Sequence, residues 1–491
     1  MKPAPAPGEG INRISPVKTS WIVALPALCA CLAAQAQEGW PTSVQQALRT
    51  AGIPGGSAAA VVQEVGARKP SLSVNEQAAM NPASVMKLVT TLAGLDLLGP
   101  AYRWKTMAYL DGPLRDGVLE GNLVLKGYGD PKLNYEAFRM LLRALRGKGL
   151  REVRGDLVFD RSHFEQAQGD AGRFDGDLFR PYNVLPDALL VNFKSLRFAF
   201  VPQPESGTVR LFIDPQPLGF EIVNTLRLSA GACAEGRAFR DLLKPVFESA
   251  PRPRASFTGQ YPASCGEREL NVALLEPNDY AAGVFAQLWT EMGGAWKGAA
   301  REGRPPAGAV PFHVHESASL AEIVRDINKF SNNVMARQLF LTLAAESAGP
   351  PARAQNAQRA VRQWLAAKGI SAPELVMENG SGLSRVERIS AASLASLLQA
   401  AWRGNTMPEF IASMPVAALD GTMRRRLKND GVAGNAHIKT GLLSDARSVA
   451  GYVLDRSGQR HAVVMFVNHP NAHQAQPAMD ELLRWVHGRE K

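Results

Sequence analysis

Apolar positions fall into three textures along the chain. Near the start, their spacing predicts a helix over 42–51 closed by Gly52, then strands over 57–65 and 71–74. Asn81-Pro82 then opens a helix, because asparagine caps a first turn and proline fits inside it. Met86, Val89, Thr90, Ala93 and Leu97 keep helical spacing until Gly99-Pro100 ends it. From about 102 to 310 the texture changes to short strand-like runs, such as 123–125, 156–159, 198–201 and 209–213, separated by Gly, Pro and Asp turns. Proline-rich stretches at 202–204 and 251–253 mark candidate sub-domain borders. Helical spacing returns over 321–330, 333–345, 354–368 and 391–402. Three apolar runs at 436–439, 448–454 and 461–467 follow and predict adjacent antiparallel strands, and a helix over 476–487 closes the pattern. The outer segments predict an antiparallel sheet flanked by helices, interrupted by a long β-rich insertion: an α/β (α+β) chain. There is no internal repeat.

Length and composition narrow the picture. At 491 residues, with 46% hydrophobic and 20% charged positions, the chain is globular and holds two or three domains. No internal stretch is long and apolar enough for a membrane span. The net charge of +10 is spread along the chain, with its densest run at Arg424-Arg425-Arg426. That run reads as a solvated surface, and without zinc-finger spacing, an RNP motif or a basic heptad array a nucleic-acid partner is not expected.

Lys2, Arg13 and Lys18 precede an apolar stretch over 21–34 broken by Pro26, and Ala34-Gln35-Ala36 supplies an A-x-A cleavage site. Residues 1–36 therefore read as a secretory signal, with an uncleaved anchor as the alternative. Cys31 is a poor lipoprotein site, because Cys29 stands where a small residue is usual. Two of the four cysteines, Cys29 and Cys31, leave with such a signal. Cys233 and Cys265 remain as a disulfide candidate, or as two unpaired buried thiols.

Three short motifs carry candidate chemistry. In Ser84-Val85-Met86-Lys87, positions i and i+3 share a helix face, so the Ser84 hydroxyl stands beside the Lys87 amine. A serine needs a base to become nucleophilic, and lysine serves only if burial or nearby cations keep it neutral. Ser331-Asn332-Asn333 lies between two helical runs, where a hydroxyl can relay a proton and an amide can grip a peptide. Lys439-Thr440-Gly441 ends a strand-like run. Its lysine and threonine suit a carboxylate, and its glycine lets a ligand approach the backbone. Each is weak alone. Ser15-Pro16-Val17-Lys18 also fits the first pattern and Ser73-Val74-Asn75 the second. The order Ser-x-x-Lys, Ser-x-Asn, Lys-Thr-Gly, at a helix start, an interhelix loop and a strand, is a much stronger signal.

On these motifs the chain resembles the D-alanyl-D-alanine carboxypeptidase/endopeptidases of the class C penicillin-binding proteins. The long gap between Ser84 and Ser331 is similar to that family, which inserts domains after the nucleophile helix. Gly129-Asp130-Pro131, Asn379-Gly380-Ser381-Gly382-Leu383-Ser384-Arg385 and Asp420-Gly421-Thr422-Met423 also match, although the family usually has Asp where Asn379 stands. The resemblance implies a transpeptidase-like domain over 37–101 and 311–491, an inserted domain over 102–200 and 266–310, and a second insert over 201–265. It implies Ser84 as the acylated nucleophile, Lys87 as its base, Ser331 as the shuttle toward the leaving amine, and Lys439 as the electrostatic tuner. Asn333 would hold the substrate amide, Thr440 the terminal carboxylate, and the Ser84 and Leu442 amides, beside Gly441, the oxyanion. Arg385 and Asp177 would contact the stem peptide, Asp177 through the amine of a diamino acid.

The implied partners are peptidoglycan stem peptides and, as covalent inhibitors, β-lactams, with a periplasmic location. The basic balance is compatible with peripheral association with the membrane or envelope. No cofactor or metal is implied. Other chemistries fit poorly: Gly380-Ser381-Gly382 is not a Gly-x-Ser-x-Gly elbow, no His-Glu-x-x-His occurs, His313-Val314-His315 reads as a surface strand, and there is no phosphate-binding Gly-x-x-x-x-Gly-Lys loop. A β-lactamase and a non-catalytic peptidoglycan-binding protein are the alternatives.

Overall fold

The computed structural model describes residues 39–166, 171–249 and 252–490, so the expected export signal at 1–36 and Pro251 lie outside the described residues. Its centre is a five-stranded antiparallel sheet in the order Leu72–Val74, Ala58–Glu64, Arg460–Asn468, Ala446–Leu454, Ala436–Leu442. The central strands are nearly continuous apolar runs because both faces are covered. Ala59 and Val61 enter one hydrophobic cluster, while Ala58, Ala60 and Val62 enter the other. Val464 and Phe466 alternate with Val463, Met465 and Val467 in the same way. On one face pack the helices Thr42–Thr50 and Gln476–His487 through Val44, Leu48, Leu482 and Val486. On the other face lie the helices Lys87–Leu98, Leu320–Lys329, Asn333–Ala348 and Ala391–Arg403. Among the described residues, no helix is long and apolar enough to cross a membrane.

The insertion leaves and rejoins this body at one place. The strands Lys105–Asp111 and His313–Glu316 pair antiparallel, and the Ser317 amide donates to the Trp104 carbonyl at 3.0 Å. Trp104 is buried and donates its indole N–H to Thr342 Oγ1 at 2.8 Å, which ties the root of the insertion to the helix Asn333–Ala348.

The expected β-rich inserted sheets are present, and two details refine the picture. The region is not only β-rich. The helix Tyr135–Gly147 carries Phe138, Leu141, Leu142 and Leu145 on its buried face and is capped by Asn134, whose side chain accepts from the Ala137 amide. The helix Pro277–Glu291 starts with its proline in the first turn. The border between the two expected inserts at 200/201 also falls inside the strand Leu196–Gln203. That strand and Arg268–Val272 share one sheet with Thr208–Asp214, Arg227–Ser229 and Gln260–Pro262. One hydrophobic cluster runs from Leu123 and Phe138 through Phe200 and Phe257 to Trp289. Prolines at 202–204 end a strand; they do not separate cores. Cys233 and Cys265 are joined by a disulfide in this sheet region.

Candidate active site

Ser84 lies in a single 3-10 turn, Ala83–Met86, that runs into the helix Lys87–Leu98. The turn is held from three sides. Asn81 Oδ1 accepts from the Ala83 amide at 2.9 Å, Asn81 Nδ2 donates to the Ser384 carbonyl at 2.9 Å, and Ser448 Oγ donates to the Pro82 carbonyl at 2.6 Å. These contacts keep Ala83 at φ +47°, a left-handed conformation that alanine rarely adopts. The expected asparagine cap is thus an Asx turn just ahead of the nucleophile.

Lys87 is fully buried. Its ammonium donates to Ser84 Oγ at 2.9 Å, Asn333 Oδ1 at 2.7 Å and the Ser381 carbonyl at 2.5 Å. Burial, then the charge of Lys439, hold its pKa well below the usual lysine range; Arg337 adds to the depression and Glu387 opposes it. Lys439 is also fully buried, and burial lowers it to about 7. It donates to Ser331 Oγ at 2.8 Å and to the Thr440 carbonyl at 2.6 Å. Ser331 sits at φ +56°, in the bend between the helices Leu320–Lys329 and Asn333–Ala348. Asn332 caps the second helix by accepting from the Met335 amide, which leaves Asn333 free to reach Lys87. The three motifs therefore meet as two Ser–Lys pairs, with Asn333 on Lys87 and the charge of Lys439 acting on Lys87.

The strand Ala436–Leu442 runs directly beside the nucleophile turn. A Cβ on Gly441 would lie 2.1 Å from Ser448 Oγ and 2.8 Å from the Pro82 carbonyl, so only glycine fits. Thr440 Oγ1 donates to Thr422 Oγ1 at 2.8 Å, and Leu442 stands exposed at the strand end. The outlying pair behaves differently. Arg385 is exposed, donates to Ser444 Oγ at 3.0 Å and Asp445 Oδ1 at 2.8 Å, and lies 4.4 Å over the Phe174 ring. It bridges the loop after the Lys-Thr-Gly strand to the insertion. Asp177 accepts both nitrogens of Arg240 at 2.9 and 3.0 Å and Arg180 Nε at 2.9 Å. Burial pushes its carboxyl up, but those guanidinium bonds outweigh it and hold the pKa below the usual range. Asp177 is thus paired with two cations of the insertion, Arg180 and Arg240, and stands apart from the Ser84 hydrogen-bond cluster among the described residues. Beside the cluster, a cavity of about 690 Å3 opens between Phe174, Arg337, Phe340, Leu383 and Arg385.

Sequence reasoning missed Ser381, Thr422 and Ser448, which touch Lys87, Thr440 and the nucleophile turn, and Glu387, which is buried under the 378–382 turn. Ser381 and Thr422 lie in the segments quoted for the resemblance, but Ser381 acts through its carbonyl, which no side-chain pattern reports. Nothing local marks Ser448 or Glu387.

Residues 41–486 match the D-Ala-D-Ala carboxypeptidase 3 (S13) family. The chain is similar to the D-alanyl-D-alanine carboxypeptidase DacB of Haemophilus influenzae, 24% identical over 79% of this chain and 80% of the relative. It is also similar to the D-alanyl-D-alanine carboxypeptidase of an Actinomadura species, 29% identical over 77% of this chain and 71% of that one. The crystal structure of penicillin binding protein 4 (dacB) from Haemophilus influenzae covers 90% of this chain and 100% of its own at a TM-score of 0.74 and 22% identity, a likeness of fold. The chain belongs to the D-Ala-D-Ala carboxypeptidase 3 (S13) family, within the serine peptidase and penicillin-binding protein superfamily.

Proposed function

We propose that this member of the S13 family is an exported serine DD-peptidase that hydrolyses D-alanyl-D-alanine termini or D-alanyl cross-links of peptidoglycan through an acyl-enzyme on Ser84. The observation that carries the reading is the buried Lys87 ammonium 2.9 Å from Ser84 Oγ, its pKa depressed by burial and by Lys439. In its neutral form Lys87 takes the Ser84 proton as Oγ bonds to the penultimate carbonyl carbon. The Ser84 and Leu442 amides receive the developing oxyanion. As the C–N bond breaks, Ser331 passes its proton to the departing amine and regains one from protonated Lys87, which returns Lys87 to its neutral form, while Lys439 donates to the Ser331 oxygen. Asn333 orients the acyl side, and Thr440 with Lys439 meets the terminal carboxylate. Water then attacks the ester, Lys87 acting again as base, and releases the shortened peptide with free Ser84.

The test is acylation of the purified protein by a penicillin, with the modified peptide mapped by mass spectrometry. A stable adduct on Ser84 that vanishes in Ser84→Ala supports the reading, as does release of D-alanine from a D-alanyl-D-alanine peptide. Faster turnover of penicillin than of peptide moves the assignment to a β-lactamase. No adduct on the folded protein leaves the binding-protein reading in front. Protease accessibility of the protein in intact and osmotically shocked cells tests export.

A further inference from the structure

The turn that touches Lys87 is built around a buried acid outside the three motifs. Glu387 has no exposed surface. Its Oε1 accepts from the amides of Glu378 at 3.0 Å, Asn379 at 2.9 Å and Gly380 at 2.8 Å, and its Oε2 accepts from Gly382 at 2.9 Å. The one remaining amide of the turn, Ser381, donates to Asn379 Oδ1 at 3.0 Å. With these N–H groups turned inward, the carbonyls point outward to the nucleophile helix. The Gly380 carbonyl accepts from Thr90 Oγ1 at 2.6 Å and the Ser381 carbonyl from Lys87 at 2.5 Å. The turn also lies hard against the nucleophile: a Cβ on Gly382 would sit 1.8 Å from the Ala83 carbonyl. Asn379 stands where the resembled family usually has an acid and serves the turn as a neutral acceptor, while Glu387 supplies its charge.

We propose that Glu387 is a positioning residue for acylation, gathering the 378–382 amides so that the Ser381 carbonyl fixes Lys87 Nζ between Ser84 and Asn333. The proposal rests on Lys87 being the base of Ser84. Glu387 has an electrostatic side as well. The charged groups acting on Lys87 come from three elements: Lys439 from the sheet, Arg337 from the helix Asn333–Ala348, and Glu387 from the turn. Glu387 is the one acid among them. Burial raises its own pKa, and the four amide donors oppose that by favouring the carboxylate.

The experiment follows penicillin acylation from acid to alkaline pH in the full chain. In Glu387→Gln the plateau rate is expected to fall about tenfold or more through lost orientation. The acid limb is expected to move to lower pH, because the anion that favours protonated Lys87 is gone. Glu387→Asp keeps the charge with a shorter reach, so it slows the plateau and leaves the limb in place. Asn379→Asp/Glu387→Gln returns a charge to the turn and moves the limb back. A folded Glu387→Gln with the wild-type plateau and limb overturns the proposal, and so does a slowed plateau with an unmoved limb, which marks a purely architectural group. If Glu387→Gln does not fold, an unchanged plateau in Glu387→Asp overturns it instead. Wild-type protein that forms no Ser84 adduct sinks the functional reading. Normal wild-type acylation with indifferent Glu387 variants sinks only this inference.

Discussion

The sheet-centred body and the insertion bury different things. The body hides charge: Lys87, Lys439 and Glu387 have no exposed surface, and Arg337 is buried beside them. The insertion hides rings: Phe198, Phe200, Phe257 and Tyr261 are buried together, with Phe257 5.2 Å from both Phe198 and Phe200, edge to face. Many of its ion pairs, such as Arg197–Asp214 and Arg254–Glu248, are at the exposed surface, where each contributes about 0–1 kcal/mol. Buried ions with shifted pKa values cost stability, and apolar packing supplies it. The body therefore gathers its buried charge at the reactive centre, and the insertion centres on an aromatic core with its few buried acids, Asp130, Asp160 and Asp187, outside it.

The comparison breaks if charge in the body and rings in the insertion prove interchangeable in effect. The largest expected effect is at Lys87. Lys87→Met keeps the packed stem and removes the base, so penicillin acylation should drop about 10²–10⁴-fold. Thermal stability should change little, because the buried amine's desolvation is removed together with its three hydrogen bonds. A fall in melting temperature with acylation intact would reverse the contrast. Phe200→Ala should do the opposite. Loss of its contacts with Phe257, Phe239 and Tyr261 should destabilise by about 3–5 kcal/mol in a denaturant titration. The acylation rate per folded molecule should stay at the wild-type value.

Gly441→Ala sharpens the contrast inside the body. The added Cβ meets Ser448 Oγ at 2.1 Å and the Pro82 carbonyl at 2.8 Å, so the strand must move away from Ser84. Misplacing the Lys-Thr-Gly strand by such an amount should slow acylation about 10²-fold. Overpacking at one position should cost only about 1–3 kcal/mol of stability. Equal losses in rate and stability would mean that the strand supports the fold and does not set the site.

The body was the more readable region for a physical reason. Its sheet strands sit between two covered faces, so the strands Ala446–Leu454 and Arg460–Asn468 stand out by their apolar stretches 449–454 and 462–467, and Gln476–His487 has the expected bounds. The motifs exposed Ser84, Lys87, Ser331, Asn333 and Lys439 because their chemistry lies in side chains at fixed spacing, and the structure brings those five together. Ser381 and Glu387 stayed hidden because one works through its carbonyl and the other through backbone amides of its own loop, which no side-chain pattern reports. In the insertion, Gly and Pro turns drew attention away from Phe138, Leu141, Leu142 and Leu145, whose helical spacing was present. The helix Pro277–Glu291 is buried along most of its length and so lacks a clear polar face. The pairing of Asp177 with Arg240 was not legible because the two are distant in sequence.

The smallest expected effect concerns an exception to the contrast, a perturbed acid inside the insertion. Asp130 is 4% exposed, and its Oδ1 accepts from the Lys132 amide at 2.8 Å. Burial raises its pKa from 3.8 to about 6, with the Lys132 amide and charge opposing. Its folded pKa lies above the unfolded one, so protonation favours the fold. The contribution is fully present below the usual 3.8 and is lost as pH rises through about 6. Asp130→Asn keeps an oxygen for the Lys132 amide and removes the buried charge. It should therefore stabilise the protein at neutral pH by about 1–3 kcal/mol. The advantage over wild type should shrink as pH falls through that window, in denaturant titrations at several pH values. Acylation of Ser84 should be unaffected, because Asp130 makes no contact with the Lys87 or Lys439 clusters. A variant that is less stable at neutral pH would mean that the Asp130 charge organises the Lys132 turn, whose lysine pairs with Asp326 at 2.5 Å on the helix Leu320–Lys329. The insertion would then hold a charge for structure as the body holds Lys87 for reactivity.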